Sequence, residues 1–288
     1  MPGSMQAHVV AVGDVMVDVA VTGRGHDARA RLAEGGSAAN AAVWAAALGA
    51  RAAVAGRIGS DAAGRLLTAG LAARGVEALL TVDDELPTGT VLELDGELRV
   101  DRGANRAFGL ADVPDPLAAD AVLVSGYALL QEGSQAGARA ALERARAPWV
   151  ALDAASPALV RATGPERFHE LARGISILLA NEGEARELTG SEPERAAREL
   201  GERYRLACVK CGARGALAVL DGELLTASSP PVAQATPLGA GDAFAAGLLV
   251  GLTRGSDALE ALELACRCGS LAAGRPDSWP VLPLPSIG

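Results

Sequence analysis

Leu238-Gly239-Ala240-Gly241-Asp242-Ala243-Phe244 runs directly into the apolar stretch Ala245 to Leu252. Small residues ahead of a helical run let the backbone approach a ligand closely. The N–H groups that open the helix face that ligand with the positive end of the macrodipole behind them. The stretch reads as an anion hole at a helix start, with Asp242 in the first turn. A carboxylate there, beside bound phosphate, can accept the proton of an attacking hydroxyl; an aspartate at this position is also an ordinary helix cap.

The flanking chain supplies the frame for such a loop. Short β-branched runs at His8 to Val12, Ala53 to Arg57, Ala121 to Ser125, Trp149 to Asp153, Ile175 to Ala180, Leu206 to Lys210 and Ala216 to Leu220 predict buried strands. Alanine-rich stretches between and after them predict helices, at Ala38 to Leu48, Ala62 to Arg74, Gly133 to Ala147, Glu184 to Leu188, Glu192 to Arg203, Asp242 to Leu252 and Ala258 to Ala272. This alternation is that of an α/β fold with a doubly wound, mostly parallel sheet flanked by helices. Val15 to Ala33 and Thr88 to Val100 depart from it: polar and apolar residues alternate, and Asp95-Gly96 marks a hairpin turn. The expected organisation is a single domain over residues 1–288, with a small β flap built from about 15–33 and 88–100. Such a flap would lie over the carboxyl ends of the strands, where open α/β sheets bind ligands.

Composition narrows the partners. Half of the 288 residues are hydrophobic and 21% are charged, enough apolar surface for a packed core. The 26 basic and 35 acidic side chains leave a formal charge of −9, which repels nucleic-acid backbones and anionic lipid. Aromatic residues, at 3%, are too few to build a stacking platform for bases. A small molecule is the expected partner, with no nucleic acid and no membrane. Met1 to Val12 has no leader-like pattern and no window reaches a membrane span, so the expected location is the cytoplasm. Lys210, in Val209-Lys210-Cys211, is the only lysine, which excludes a Walker A loop. Cys208, Cys211, Cys266 and Cys268 lie in apolar strand and helix stretches and read as buried free thiols rather than a zinc site.

A second glycine-rich turn, Gly35-Gly36-Ser37-Ala38-Ala39-Asn40, also enters an apolar helical stretch, containing Trp44. Adjacent glycines bring backbone close to a ligand, and Asn40 offers donors and an acceptor to a polyol. A turn followed by a helix start accounts for the same residues.

Taken in order, these motifs resemble the ribokinase-like (pfkB) carbohydrate kinases along nearly the whole chain. Gly13-Asp14-Val15-Met16-Val17-Asp18 resembles the family's opening strand, and the resemblance implies that Asp18 holds sugar hydroxyls. Gly35, Gly36 and Asn40 are similar to its substrate-side signature. Gly56-Arg57-Ile58-Gly59-Ser60-Asp61, with Gly64, Leu67, Leu71 and Gly75-Val76, resembles a scaffold segment, and Gly103-Ala104-Asn105 the Gly-Ala-Asn that follows the flap, implying a substrate contact for Asn105. Asn181-Glu182-Gly183-Glu184 resembles the NxxE motif, implying that Asn181 and Glu184 organise Mg²⁺ and phosphate through water; both could instead cap the following helix. Lys210 with Gly212-Ala213-Arg214-Gly215 resembles the nucleotide-side turn, although Lys210 alone could be a plain surface residue. Gly239-Ala240-Gly241-Asp242 is similar to the family's anion hole and catalytic base.

The resemblance implies an ATP- and Mg²⁺-dependent phosphotransferase acting on a primary hydroxyl of a small sugar or sugar acid, of the ribokinase, fructokinase or 2-keto-3-deoxygluconate kinase kind. A nucleoside kinase and a ligand-binding homologue that has lost catalysis are the rivals. Three departures matter. Thr236-Pro237 stands where the family has Asp-Thr, and Asp277-Ser278 where Gly-Ala is usual, so a potassium site should be weak or absent. The segment from Asp18 to Gly35 is short, which implies a smaller flap and a smaller contact in any homodimer formed through it.

Overall fold

The computed structural model describes residues 6–94, 97–233 and 238–284. Strands β1 (His8–Val12), β4 (Arg51–Gly59), β5 (Val76–Asp83), β9 (Ala121–Ser125), β11 (Trp149–Asp153), β12 (Ile177–Asn181), β13 (Leu206–Lys210), β14 (Ala216–Leu220) and β15 (Glu223–Ala227) form a nine-stranded sheet in the order β15-β14-β13-β12-β11-β9-β1-β4-β5. Only β14 runs against its neighbours. The interiors of the central strands are apolar and buried, as strands covered on both faces must be, and their polar residues fall at the ends.

A separate four-stranded sheet, in the order β3-β2-β6-β7, is the flap: β2 (Met16–Thr22), β3 (Arg29–Gly35), β6 (Gly89–Leu94) and β7 (Glu97–Asp101). Leu94 pairs with Glu97 across the hairpin, whose Asp95-Gly96 turn lies outside the described residues, as does Thr236-Pro237. A two-stranded piece pairs β8 (Leu117–Ala118) with β10 (Ala145–Arg146).

Helices cover both sheet faces over two apolar cores, one around Trp44 and α9, the other around Phe168. In chain order they are α1 (Ser37–Ala47), α2 (Ala62–Ala73), α3 (Gly126–Leu129), α4 (Glu132–Arg144), α5 (Pro157–Thr163), α6 (Pro165–Leu171), α7 (Glu182–Thr189), α8 (Pro193–Gly201), α9 (Ala240–Thr253) and α10 (Ala258–Ala273). The expected strands and helices are all present, with ends shifted by a few residues. β5, β8, β10, β15, α3, α5 and α6 were not anticipated, and β10 takes the end of the expected helix Gly133 to Ala147. The four cysteines are free and buried. Among the described residues, no three His, Cys, Asp or Glu side chains converge as a metal cage, and no helix is long and apolar enough to cross a membrane.

Candidate active site

Gly36 opens α1 at φ +92°, a left-handed conformation, and a side chain there would begin 2.5 Å from Asp14 O and 2.7 Å from Met16 N. Glycine is therefore required for the chain to turn from the flap into α1 this tightly. That turn aims the first residues of α1 at α9. Ser37 Oγ donates to Asp242 Oδ1 at 2.7 Å, and Asn40 Nδ2 donates to Asp242 Oδ2 at 2.8 Å.

Asp242 sits in the first turn of α9, after Gly239 in the left-handed region at φ +76°. The opening N–H groups of a helix have no partner within it, so Ala240 and Gly241 present donors of the kind an anion requires. Burial pushes the Asp242 carboxyl up to about 7; the Asn40 and Ser37 hydrogen bonds oppose this, nearby Asp153 adds to it and Lys210 counters it. A carboxylate with that balance holds or releases a proton near neutral pH, as a general base should.

On the flap side, Asp18 projects from β2, and a side chain at Gly35 would collide with its carboxylate. Asp18 is pushed up to about 6, first by burial, with Ser278 and Arg31 opposing. Ser278 Oγ donates to it at 3.5 Å. The pocket beneath the flap is lined by Asp18, Glu93, Arg31 and Asp277 together with aliphatic side chains including Val91 and Leu98. Arg31 is occupied: it pairs with Asp277 and donates to Pro276 O at 3.1 Å. An alanine at Gly35 would overpack Asp18, at a cost of about 1–3 kcal/mol. Gly35→Ala should accordingly raise the acceptor KM about tenfold with the ATP KM unchanged, and steady-state kinetics with each substrate varied would contradict this if the acceptor KM stayed put.

On the opposite side, Asn181 ends β12 and Lys210 ends β13, paired in register. Lys210 Nζ donates to both oxygens of Asp153, at 2.9 and 2.7 Å, from the end of β11. Both side chains are about 15% exposed. The pair abuts the anion hole, since a side chain at Gly241 would begin 3.4 Å from Lys210 Nζ and 3.9 Å from Asp153 Oδ2. Asn181 and Glu184 form a full capping box for α7: Asn181 Oδ1 accepts from Glu184 N at 2.9 Å, and Glu184 accepts from the Asn181 backbone N–H at 2.7 Å and from Nδ2 at 2.6 Å. Burial pushes Glu184 up to about 7, with Lys210 opposing and Asp153 adding. The buried Glu184 and the half-buried Asp153 beside one lysine, with no third His, Cys, Asp or Glu converging on them among the described residues, suit a Mg²⁺ ion that keeps most of its water and takes phosphate oxygens. Gly212 (φ +56°) and Gly215 (φ +99°) bracket the short turn after Lys210, and Arg214 there pairs with Glu182.

Asn105 differs from its expected role as a substrate contact. Its amide hydrogens go to Val15 O at 3.0 Å and Arg102 O at 3.1 Å, and its oxygen accepts from Val15 N at 2.9 Å. No donor is left for a ligand, so this side chain anchors the start of the flap. Nearby, Arg102 pairs with the buried Asp14 at 2.6 Å and fastens the flap's two ends together.

Four neighbours of the site were not anticipated: Ser37, Asp153, Tyr127 and Trp279. Asp153 carried a readable signal, because it ends a buried strand as a charge, whereas Asp18, expected in the opening strand of the main sheet, lies inside flap strand β2. Tyr127, on α3, has its hydroxyl pushed up to about 12 by burial and by Asp242, Glu184 and Asp153.

Known proteins share this chain's sequence and fold along most of its length. A fructokinase of Klebsiella pneumoniae is 30% identical over 97% of both chains. The structure is similar to that of an adenosine kinase from Sinorhizobium meliloti, with a TM-score of 0.87 and 26% identity over 96% of this chain and 97% of that one. It is also similar to a fructokinase double mutant from Vibrio cholerae O395 bound to fructose, ADP and potassium, with a TM-score of 0.83 and 27% identity over 96% and 95% of the two chains. These likenesses establish the ribokinase-like fold. Residues 6–283 match the family described as pfkB family carbohydrate kinase, and the chain belongs to that family of phosphotransferases.

Proposed function

We propose that the protein transfers the γ-phosphoryl group of ATP to a primary hydroxyl of a small, uncharged sugar. The observation that carries this reading is Asp242, held by Ser37 and Asn40 at the mouth of a helix whose opening amides adjoin Lys210. The acceptor hydroxyl gives its proton to Asp242 as its oxygen forms a bond to the γ-phosphorus. The bond from that phosphorus to the β,γ-bridging oxygen breaks, and ADP leaves. The amides of Ala240 and Gly241 and the ammonium of Lys210 stabilise charge on the transferring group. Asp18 and the backbone at Gly35 and Gly36 hold the sugar, Gly212 and Gly215 shape the nucleotide turn, and flap closure excludes water. Glu184 with Asn181, and Asp153, would hold Mg²⁺ through water, and the ion would supply neutralisation of the phosphate charge.

Charge supports a neutral acceptor over a sugar acid or phosphosugar. Three carboxylates, Asp18, Glu93 and Asp277, line the flap pocket against one arginine that is already paired. The aliphatic Val19, Ala20, Val91 and Leu98 in the same pocket support a second reading, a nucleoside whose base packs against them. Arg31 engaging Asp277 in the last loop supports potassium independence. Exposed Leu32, Leu98 and Val100 on the flap support a homodimer covering it.

ADP release with Mg·ATP, measured across neutral ketoses and aldoses, sugar acids, phosphosugars and nucleosides with and without potassium, tests this reading. The expected result is turnover of a neutral sugar, insensitive to potassium and absent with acids and phosphosugars. Turnover restricted to nucleosides would move the assignment to the second reading; preference for an anionic sugar would overturn the charge argument.

A further inference from the structure

Trp279, in the loop after α10, donates its indole N–H to Asn40 Oδ1 at 3.0 Å, and Asn40 Nδ2 in turn donates to Asp242 Oδ2 at 2.8 Å. A primary amide offers an acceptor at one end and donors at the other, whereas an indole nitrogen only donates. Facing Trp279, Asn40 must therefore present its oxygen to the indole and its NH₂ to the carboxylate. The reverse orientation would set an N–H against an N–H on one side and an oxygen against a carboxylate on the other.

We propose that Trp279 is a positioning residue for the general base: it fixes the orientation of the Asn40 amide and so keeps a hydrogen-bond donor on Asp242. This inference rests on the reading of Asp242 as the base. Trp279 is only 4% exposed, and both it and its neighbours in the loop are held. The Arg74 guanidinium lies 5.0 Å over its ring, Arg74 Nη1 donates to Pro280 O at 3.3 Å, and Trp44 Nε1 donates to Ser278 O at 2.9 Å. The same loop reaches the flap through Arg31, which pairs with Asp277 and donates to Pro276 O. The loop therefore links the flap to the hydrogen-bond relay that ends on Asp242.

The groups facing Asp242 are Ser37 and Asn40 from α1, Asp153 from β11, Lys210 from β13 and Tyr127 from α3. Of these, Asn40 is the one hydrogen-bonded to Trp279. Losing its donor disfavours the ionised carboxylate, so the acid limb of kcat/KM moves to higher pH. Trp279→Phe should lower kcat about tenfold, the value of one buried hydrogen bond, with the ATP KM unchanged. Trp279→His, which retains a ring N–H, should recover part of the loss. In an Asn40→Ala background Trp279→Phe should cost nothing further, because its effect passes through Asn40.

A wild-type rate and pH profile in Trp279→Phe, or an equal loss in the Asn40→Ala background, would overturn the proposal; the second result would mark a packing role. If Trp279→Phe fails to fold, the assigned indole N–H resonance of the wild-type protein decides. It should titrate with the midpoint of the acid limb, and a resonance indifferent to pH overturns the relay. Asp242→Asn measured alongside separates the two readings. An active Asp242→Asn removes the base assignment itself, whereas an inactive one beside a normal Trp279→Phe removes only the role of Trp279.

Discussion

Replacing Asp242 by asparagine should abolish turnover by about 10²- to 10⁴-fold, the range for removing a general base, while the fold survives. The amide keeps the shape of the carboxylate. Its oxygen can still accept from Asn40, and the Ser37 hydroxyl, able to donate or accept, can receive the new N–H. What is lost is the site that takes the acceptor's proton. Near-wild-type kcat in this variant would remove Asp242 from the reaction.

The same substitution should stabilise the ligand-free protein above neutral pH. Burial raises Asp242 to about 7 in the folded state, above its ordinary value, so the folded protein holds that proton more tightly than the unfolded chain does. Stability from this group is complete at pH values below the unfolded pKa and is lost as pH rises through about 7. Asp18, raised to about 6, and Glu184, raised to about 7, act in the same direction. Calorimetry should therefore show these groups lowering the wild-type Tm between about pH 4 and 7 and the Asp242→Asn Tm falling less. A variant no more stable than wild type at pH 8 would contradict the idea that the ionised carboxylate is held at a cost.

The second large effect concerns Lys210. Lys210→Met should lower kcat/KM for ATP by about 10²- to 10³-fold, comparable to removing a donor from an oxyanion site, and leave the acceptor KM close to wild type. It should also destabilise the fold, because Asp153, only 14% exposed, loses the cation that both its oxygens contact. Removing one partner of a buried pair costs about 3–5 kcal/mol, whereas removing both can be neutral. Asp153→Asn added to Lys210→Met should restore the urea midpoint without restoring ATP use. Wild-type ATP kinetics in Lys210→Met would show that the ammonium serves Asp153 alone.

The fold was legible where burial on both faces made strands continuous apolar runs, as in Ala121–Ser125 and Leu206–Lys210. It was not legible at β5, an edge strand whose Val-Glu-Ala-Leu-Leu-Thr-Val-Asp sequence is half exposed and follows neither helical nor strand alternation. α5 and α6 were hidden for another reason. Each is only seven residues long and opens on a proline, Pro157 or Pro165, where the missing N–H is harmless but no helical periodicity has room to show. In the site, Gly36, Gly239 and Asp242 were readable because close backbone approach demands small residues in sequence. Ser37, Tyr127, Asp153 and Trp279 were not singled out, because they converge from α1, α3, β11 and the last loop, and only the folded chain brings those together. Asn105 shows the converse: a residue in a recognisable motif whose side chain is consumed by backbone contacts.

Lys210 is the only lysine in the chain, and it is ion-paired and largely covered. The folded surface accordingly offers no side-chain primary amine to acylating metabolites or to amine-directed coupling reagents, and its arginines carry all the positive side-chain charge except that of histidine. Any acyl group found on a lysine of this protein must sit beside the anion hole, where it would erase the Lys210 charge and uncouple Asp153. Lysine acylation in this chain is thus a single-site event, and its extent would count the molecules whose Lys210 charge is lost.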